Sequence, residues 1–143
     1  MLTENRLIKE RHLQLCKSKE KALQYKIENE LDSIKKVNYQ IEQFYVQDCF
    51  ENLEIELNNE KMGNKKIVIT KEESDKKIDT KIKKYNRIIS LLNTKKTLLF
   101  NKADSEKDEL EKVNMLLEIE SIDAEVLAKE SFIKAYIERK NVV

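Results

Sequence analysis

The 143-residue sequence has no proline, no tryptophan and only one glycine, Gly63. Most tight turns depend on proline or glycine, so a globular core with many chain reversals is not expected. One histidine and two cysteines are also few for a metal site or a nucleophilic centre. These absences favour an elongated protein without catalytic chemistry.

The sequence instead combines abundant charge with apolar residues. Charged residues make up 38% and hydrophobic residues 40% of the chain, and 28 Lys and Arg oppose 27 Asp and Glu. This composition is typical of long helices, and apolar residues at helical period count against disorder. The net charge of +1 gives no field that would draw the protein to nucleic acid or to an anionic membrane.

Two further features bear on location. The amino-terminal run MLTENRLIKERHLQLCK carries charges where a secretory signal has an unbroken apolar core. No window approaches the ~20 apolar residues of a membrane span. We therefore expect a cytoplasmic protein without membrane insertion.

A long apolar stripe organises the second half of the chain. Its positions recur at alternating steps of four and three residues, and twelve of the fifteen are apolar. This heptad pattern, uninterrupted by glycine or proline, predicts one α-helix that buries the stripe against another helix, as in a coiled coil. The long stripe consists of Ile78, Ile82, Tyr85, Ile89, Leu92, Lys96, Leu99, Ala103, Glu106, Leu110, Val113, Leu117, Glu120, Ala124 and Leu127.

An amino-terminal stripe has the same spacing. Eight of its first ten positions are apolar when cysteine is counted, and beyond Phe44 the stripe continues on a rotated face. Thr3 is a suitable amino-terminal cap for this helix. The amino-terminal stripe consists of Leu13, Cys16, Glu20, Leu23, Ile27, Glu30, Ile34, Val37, Ile41 and Phe44, followed by Val46, Phe50, Leu53 and Leu57.

The break between the two stripes falls at residues 58–70. Gly63 lies among asparagines and supplies a turn, and Thr70 with Glu73 matches a capping box. We predict a single coiled-coil domain over residues 1–143, with helix 1 at about 3–61, a hairpin at about 62–70 and helix 2 at about 71–139.

The distribution of charge predicts how these two helices pack. An antiparallel arrangement lays oppositely charged blocks side by side, whereas a parallel arrangement sets like charges together. The predicted fold is therefore all-α, an antiparallel coiled-coil hairpin of two long helices. It places Glu30 and Glu106 at similar heights. The net charges of the blocks are +2 for residues 1–30, −4 for 31–61, +8 for 62–103 and −5 for 104–143.

A short stripe lies on a neighbouring face near the carboxyl end. One partner helix cannot cover both stripes, so part of this surface is expected to meet the first residues of helix 1 or another protein. The short stripe consists of Met115, Ile119, Ile122, Val126, Ile133 and Ile137.

Residues with catalytic or metal-binding chemistry are sparse. Cys16 and Cys49 are 33 positions apart, about 50 Å along one straight helix, so they are predicted to be reduced thiols without a disulfide. His12 is interpreted as a solvated residue, and two cysteines with one histidine offer no spacing typical of a zinc tetrahedron. We predict no enzyme activity, no metal, no cofactor and no small-molecule substrate.

Basic residues between Lys65 and Lys102 raise nucleic acid binding as an alternative. Few aromatic residues are interleaved with them for base stacking, and the acidic part of helix 1 compensates their charge. We therefore favour a structural role for this block and predict no nucleic acid partner.

The layout resembles a known family. Two long antiparallel helices with a short central hairpin, and the amino-terminal run RLIKERHLQLCKSKEKAL, are similar to the FliJ/YscO central stalk proteins of type III secretion systems; the Lys-, Asn- and Ile-rich composition is similar to the EscO member. The resemblance implies a protein like the coiled-coil part of a rotary ATPase γ subunit. It implies a stalk in the pore of a hexameric secretion ATPase, with both termini in the ring, that contacts the export gate and handles secretion chaperones.

This hypothesis leads us to predict two binding surfaces. Basic and apolar side chains at the paired termini would hold the ATPase, and aromatic and β-branched side chains at the remote end would contact the export gate. Two alternatives stay open: a generic coiled-coil scaffold, and a chaperone adaptor that never enters a ring. The ATPase-binding prediction names Arg6, Lys9, Arg11, Ile133, Lys134, Ile137, Arg139 and Lys140, and the distal prediction names Tyr45, Phe50, Ile67 and Ile69.

Overall fold

A computed structural model describes residues 2–62 and 70–141, which form four α-helices. These are α1 (Leu2–Asn29), α2 (Ser33–Met62), α3 (Lys71–Ser105) and α4 (Glu109–Lys140). The prediction of an all-helical chain is confirmed, and the described residues contain no strand. The prediction of two long helices differs from the structure, because helix 1 divides at residues 30–32 and helix 2 divides at residues 106–108.

Both of these divisions are turns built by the same side-chain device. The carboxylate of Glu30 accepts a hydrogen bond from the backbone N–H of Asp32 at 3.2 Å, and Glu106 does the same for Asp108 at 3.1 Å. The carboxylate of each aspartate then accepts from the backbone N–H groups two and three residues later. Aspartate is a strong amino-terminal cap because it satisfies N–H groups that have no partner within the helix. The chain therefore turns here without glycine or proline.

The chain divides into two compact units, Met1–Val68 and Ile69–Val143. In the first unit α1 packs against α2 in antiparallel fashion. Lys9 near the start of α1 pairs with Glu60 near the end of α2, and Lys19 pairs with Glu42 at 2.7 Å. One cluster of its core consists of Cys16, Leu23, Val46 and Leu53, with Leu13, Tyr39, Cys49 and Phe50 packed against it.

In the second unit α3 packs against α4, again antiparallel. Lys96 pairs with Asp123 at 2.6 Å, and Lys140 at the end of α4 pairs with Asp79 near the start of α3 at 2.8 Å. Tyr85 stacks on two rings of α4, Phe132 and Tyr136, with centroids 5.7 and 5.9 Å apart. Thr70 caps α3 by accepting from the backbone N–H of Glu73 at 3.2 Å, as its position in the sequence predicts.

The amino-terminal stripe faces the core on both sides of Phe44, with eight of its fourteen positions buried and the other six half-buried. In the second unit the α3 part of the long stripe is buried at Leu92, Leu99 and Ala103 and half-buried elsewhere, whereas its α4 part is exposed. The face of α4 that carries Asp123 and Phe132 meets α3, and that face carries the short stripe. The buried residues of α4 are Ile119, Ile122 and Val126; those of α3 are Ile88, Leu92, Leu99 and Ala103; those of the first unit include Cys16, Leu23, Ile27, Val37, Phe44, Val46, Leu53 and Leu57.

Among the described helices, none has the length and apolar content needed to cross a membrane. The predicted turn residue Gly63, and Ile67 and Ile69 of the distal surface, lie outside the described residues.

Candidate functional site

The most prominent surface is an exposed apolar face of α4. Leu110, Leu117 and Leu127 are 69%, 60% and 64% exposed, and Val113 and Leu116 are also exposed. These five residues are called the α4 face below. Four of them belong to the long stripe, which was predicted to be buried. The exposure follows from the turn at residues 106–108: once α4 folds back on α3, the short stripe is the one that faces α3.

The predicted ATPase-binding residues of α1 divide into two kinds. Arg6 and Arg11 are exposed, and Arg6 makes an ion pair within α1 to Glu10 at 3.2 Å. Lys9 is held between Glu60 and Glu56 of α2, and the hydrogen bond with Glu60 raises the pKa of Lys9. Lys9 therefore joins the two helices, while the two arginines lie on the exposed surface of α1, where Arg6 pairs with Glu10.

The predicted residues at the end of α4 divide in the same way. Lys134 and Arg139 are exposed, Ile137 is exposed and Ile133 is half-buried. Lys140 pairs with Asp79, whose hydrogen bond raises the pKa of Lys140. Lys140 is therefore occupied within the second unit.

Each of these two sets borders a surface groove in its own unit. Arg11 lines a groove of about 510 Å³ with Leu7, Leu13 and Leu57. Arg139 lines a groove of about 430 Å³ with Ile78 and Tyr136 and a second groove, of about 420 Å³, with Phe132. The structure thus places a cation beside apolar surface near the start of α1 and near the end of α4, each within its own unit.

The distal surface contains two residues that the structure describes. Tyr45 is exposed and meets the ring of Phe44 edge-on, with centroids 5.4 Å apart. Phe50 is half-buried, packs against the core cluster of the first unit and lies under the ammonium group of Lys17 at 5.3 Å. Tyr45 is therefore the better placed of the two for a partner.

Three side chains from two distant parts of the sequence meet in the first unit. The ligand atoms of His12, Cys16 and Cys49 all lie within 4.8 Å of one another. Burial, and then a hydrogen bond with Cys49, raise the pKa of the Cys16 thiol. The 33-residue separation of the cysteines concealed this cluster, because one straight helix would hold them about 50 Å apart. The His-x-x-x-Cys spacing of His12 and Cys16 was the available signal, since it places both on one helical face.

Comparison with protein-family models, with curated proteins and with solved structures finds no match to this chain. Its function is therefore inferred from its own residues and their geometry.

Proposed function

We propose that the protein is the central stalk of a type III secretion ATPase complex. It would be a non-enzymatic helical protein at the cytoplasmic base of the secretion apparatus, with its termini in a hexameric ATPase ring that it stimulates and connects to the export gate. The resemblance to the FliJ/YscO proteins and the helical hairpins support this proposal. The observation that carries it is the exposed α4 face.

A face of this kind indicates a protein partner. Soluble monomers rarely leave large contiguous apolar patches uncovered, and apolar residues at heptad spacing on one helix are the usual contact of a helix with a helical partner. Leu110, Val113 and Leu117 have that spacing, and Leu127 lies on the same stripe three steps later, after Glu120 and Ala124. A stalk or an adaptor uses such a face, whereas an enzyme would need a polar site beside it.

The register of the α4 face suggests how the stalk is formed. Its residues continue the heptads of α3 without a break, although the chain turns at residues 106–108. If that turn straightens, α3 and α4 become one helix whose long stripe is continuous, and the corresponding change at residues 30–32 gives two long helices. We propose this antiparallel coiled coil as the ring-bound form, because a ring that binds it more tightly than the folded-back form shifts the population toward it.

The exposed cations give the contact with the ring. Arg6, Arg11, Lys134 and Arg139 are exposed, and Arg6 pairs with Glu10 of its own helix, whereas Lys9 and Lys140 pair with the other helix of their unit in the folded-back form. Exposed charges provide modest contacts that break and re-form easily, as an asymmetric stalk requires among six equivalent subunits. Apolar side chains beside these cations, including Leu7 and Ile137, supply the remaining contact area.

The experiment that tests the α4 face measures binding to the hexameric secretion ATPase and the rate of ATP hydrolysis. The variant L110S/L117S/L127S removes three exposed leucines and should leave the helical circular dichroism unchanged. It should weaken binding at least about tenfold, because these leucines lie on the long stripe that the ring-bound coiled coil would bury, and burial of one leucine contributes ~1.5–3 kcal/mol.

A matched control removes the same kind of surface elsewhere. The variant L31S/I55S/F100S replaces three exposed apolar residues outside α4 and should bind and stimulate like the original chain. If both triple variants bind equally well, the α4 face does not stabilise the ring-bound form and the proposal fails.

A chaperone adaptor that never enters a ring is the second candidate, and the same exposed face favours it. Such an adaptor would bind a secretion chaperone through Leu110, Leu117 and Leu127 and leave the ATPase rate unchanged. Parallel titrations of a chaperone and of the ATPase distinguish the two functions.

A further inference from the structure

The first unit gathers every thiol and the one imidazole of the chain. The sequence contains one histidine and two cysteines. Each of the three contributes one ligand atom to a single cluster, and these atoms lie within 4.8 Å of one another. His12 and Cys16 come from α1, and Cys49 comes from α2. The packing of the two helices therefore creates a grouping that neither helix has alone.

The spacing of these atoms is close to that of a tetrahedral metal site. The Nε2 atom of His12 lies 3.9 Å from the Sγ atom of Cys49. Bonds of about 2.3 Å to sulfur and about 2.0 Å to nitrogen place two tetrahedral ligand atoms about 3.5–3.8 Å apart. Shifts of about 1 Å or less, within reach of side-chain rotation, would bring the three ligands to bonding distance.

The surroundings suit a divalent ion bound by two thiolates. Cys16 is buried in an apolar cluster with Leu23, Val46 and Leu53, Cys49 is half-buried and His12 is exposed. Two thiolates neutralise a divalent cation, so the bound group would carry no net charge into this apolar surrounding. The exposed histidine side leaves the fourth position open to water.

We propose that His12, Cys16 and Cys49 form a three-ligand site for a thiophilic transition metal, with Zn²⁺ as the expected ion. Thiolate and imidazole are the ligands that zinc prefers, and three protein ligands with a fourth, open position form a known type of zinc coordination. The ion would link α1 to α2 at the level of these residues. It would stabilise the first unit because the unfolded chain does not hold the three ligands together.

The test uses the full-length chain, kept reduced, and titrates it with Co²⁺ and then Zn²⁺. One Co²⁺ per chain should give visible absorption of a tetrahedral ion with a thiolate charge-transfer band, and Zn²⁺ should displace it. Zinc-edge X-ray absorption should then show two sulfur neighbours at about 2.3 Å. Monomer mass should persist throughout.

Substitutions assign the ligands. The variants C16S, C49S and H12Q should each weaken Zn²⁺ binding more than about 100-fold, since the loss of mere outer-shell partners already costs 10–100-fold. Because His12 is exposed, H12Q should fold normally. It therefore still tests the site if C16S fails to fold.

A control at constant composition moves the histidine by two positions. The variant H12Q/Q14H places the imidazole on another face of α1, at the exposed position of Gln14, and should bind as weakly as H12Q. The proposal is overturned if this variant binds like the original chain, if all variants bind equally, or if Zn²⁺ binds only by joining two chains.

Discussion

Glu30 and Glu106 occupy equivalent places in the two interhelical turns: each carboxylate accepts a hydrogen bond from the backbone N–H of the aspartate two residues later. Both glutamates also fill positions of the apolar stripes, where a buried carboxylate would be costly. In the folded chain neither is buried within a coiled coil. Each instead helps to end one helix before the next begins.

The capping aspartates should therefore contribute measurably to stability. Asp32→Ala and Asp108→Ala should each lower the free energy of unfolding by about 1 kcal/mol, the usual contribution of an amino-terminal cap. Urea unfolding followed by circular dichroism measures the change. Asp104→Ala, an exposed aspartate just before the second turn, should stay within about 0.5 kcal/mol of the original chain. Equal effects of all three would show that the turns do not depend on these caps.

The thiol of Cys16 should make stability depend on pH. Burial, then a hydrogen bond with Cys49, raise its pKa, so the folded chain holds this proton more tightly than the unfolded chain does. The contribution of this thiol to the free energy of unfolding is then fully present below the ordinary cysteine pKa of about 8.5. It is lost as the pH rises through the raised pKa of the folded chain.

Two metal-free variants isolate this effect. The urea midpoint of C49S should fall above about pH 8.5 more steeply than that of C16S/C49S, because every other titrating group is the same in both. Parallel pH profiles would show that the buried thiol does not contribute.

The sequence predicts the two interhelical turns, at residues 30–32 and 106–108, least well, for physical reasons. Thr70 is a cap whose signal lies next to the break, and it was placed correctly. The turns at residues 30–32 and 106–108 lack glycine and proline, so the heptad spacing runs through Glu30 and Glu106 without interruption. The charge blocks did not reveal the error, because each hairpin also pairs opposite signs: +2 with −4, and +8 with −5.

The candidate sites were hard to predict for the same reason, because both depend on where the chain reverses direction. The α4 face was predicted to be buried because Leu110 and Leu117 belong to the long stripe. The meeting of His12 with Cys49 was missed because it requires α1 and α2 to lie side by side. Local caps and apolar periodicity are readable from neighbouring residues, whereas these contacts depend on where the helices turn.

The proposed straightening of α3 and α4 predicts a large change of distance. Lys96 and Asp123 form an ion pair at 2.6 Å in the folded-back form, whereas one straight helix would separate them by about 40 Å. Spin labels at these two positions, in a chain with Cys16 and Cys49 replaced by serine, should report the short distance alone and the long distance with the ATPase. Asp108→Ala should increase the long-distance fraction, because it removes the amino-terminal cap of α4 and with it part of what stabilises the turn. A short distance in the ATPase-bound chain would contradict the proposed ring-bound form.

The charge-reversal variant R6E/R11E/K134E/R139E should lose its effect on the ATPase without losing its helices. These four cations are exposed, and reversing them leaves the Lys9 and Lys140 ion pairs intact. Reversal of Lys21, Lys26, Lys35 and Lys36, which are also exposed, is the matched control and should retain stimulation. Added salt should weaken stimulation by the original chain, because exposed charges are screened beyond ~8–10 Å at physiological ionic strength.

The steady-state rate of ATP hydrolysis by a hexameric type III secretion ATPase, measured with increasing full-length chain, tests the proposed stalk function most directly. We expect the rate to rise to a plateau and the chain alone to hydrolyse no ATP. R6E/R11E/K134E/R139E should abolish the rise at low salt, whereas the lysine control should not. An ATPase rate that stays unchanged at saturating amounts of the folded chain would contradict the proposed stalk function.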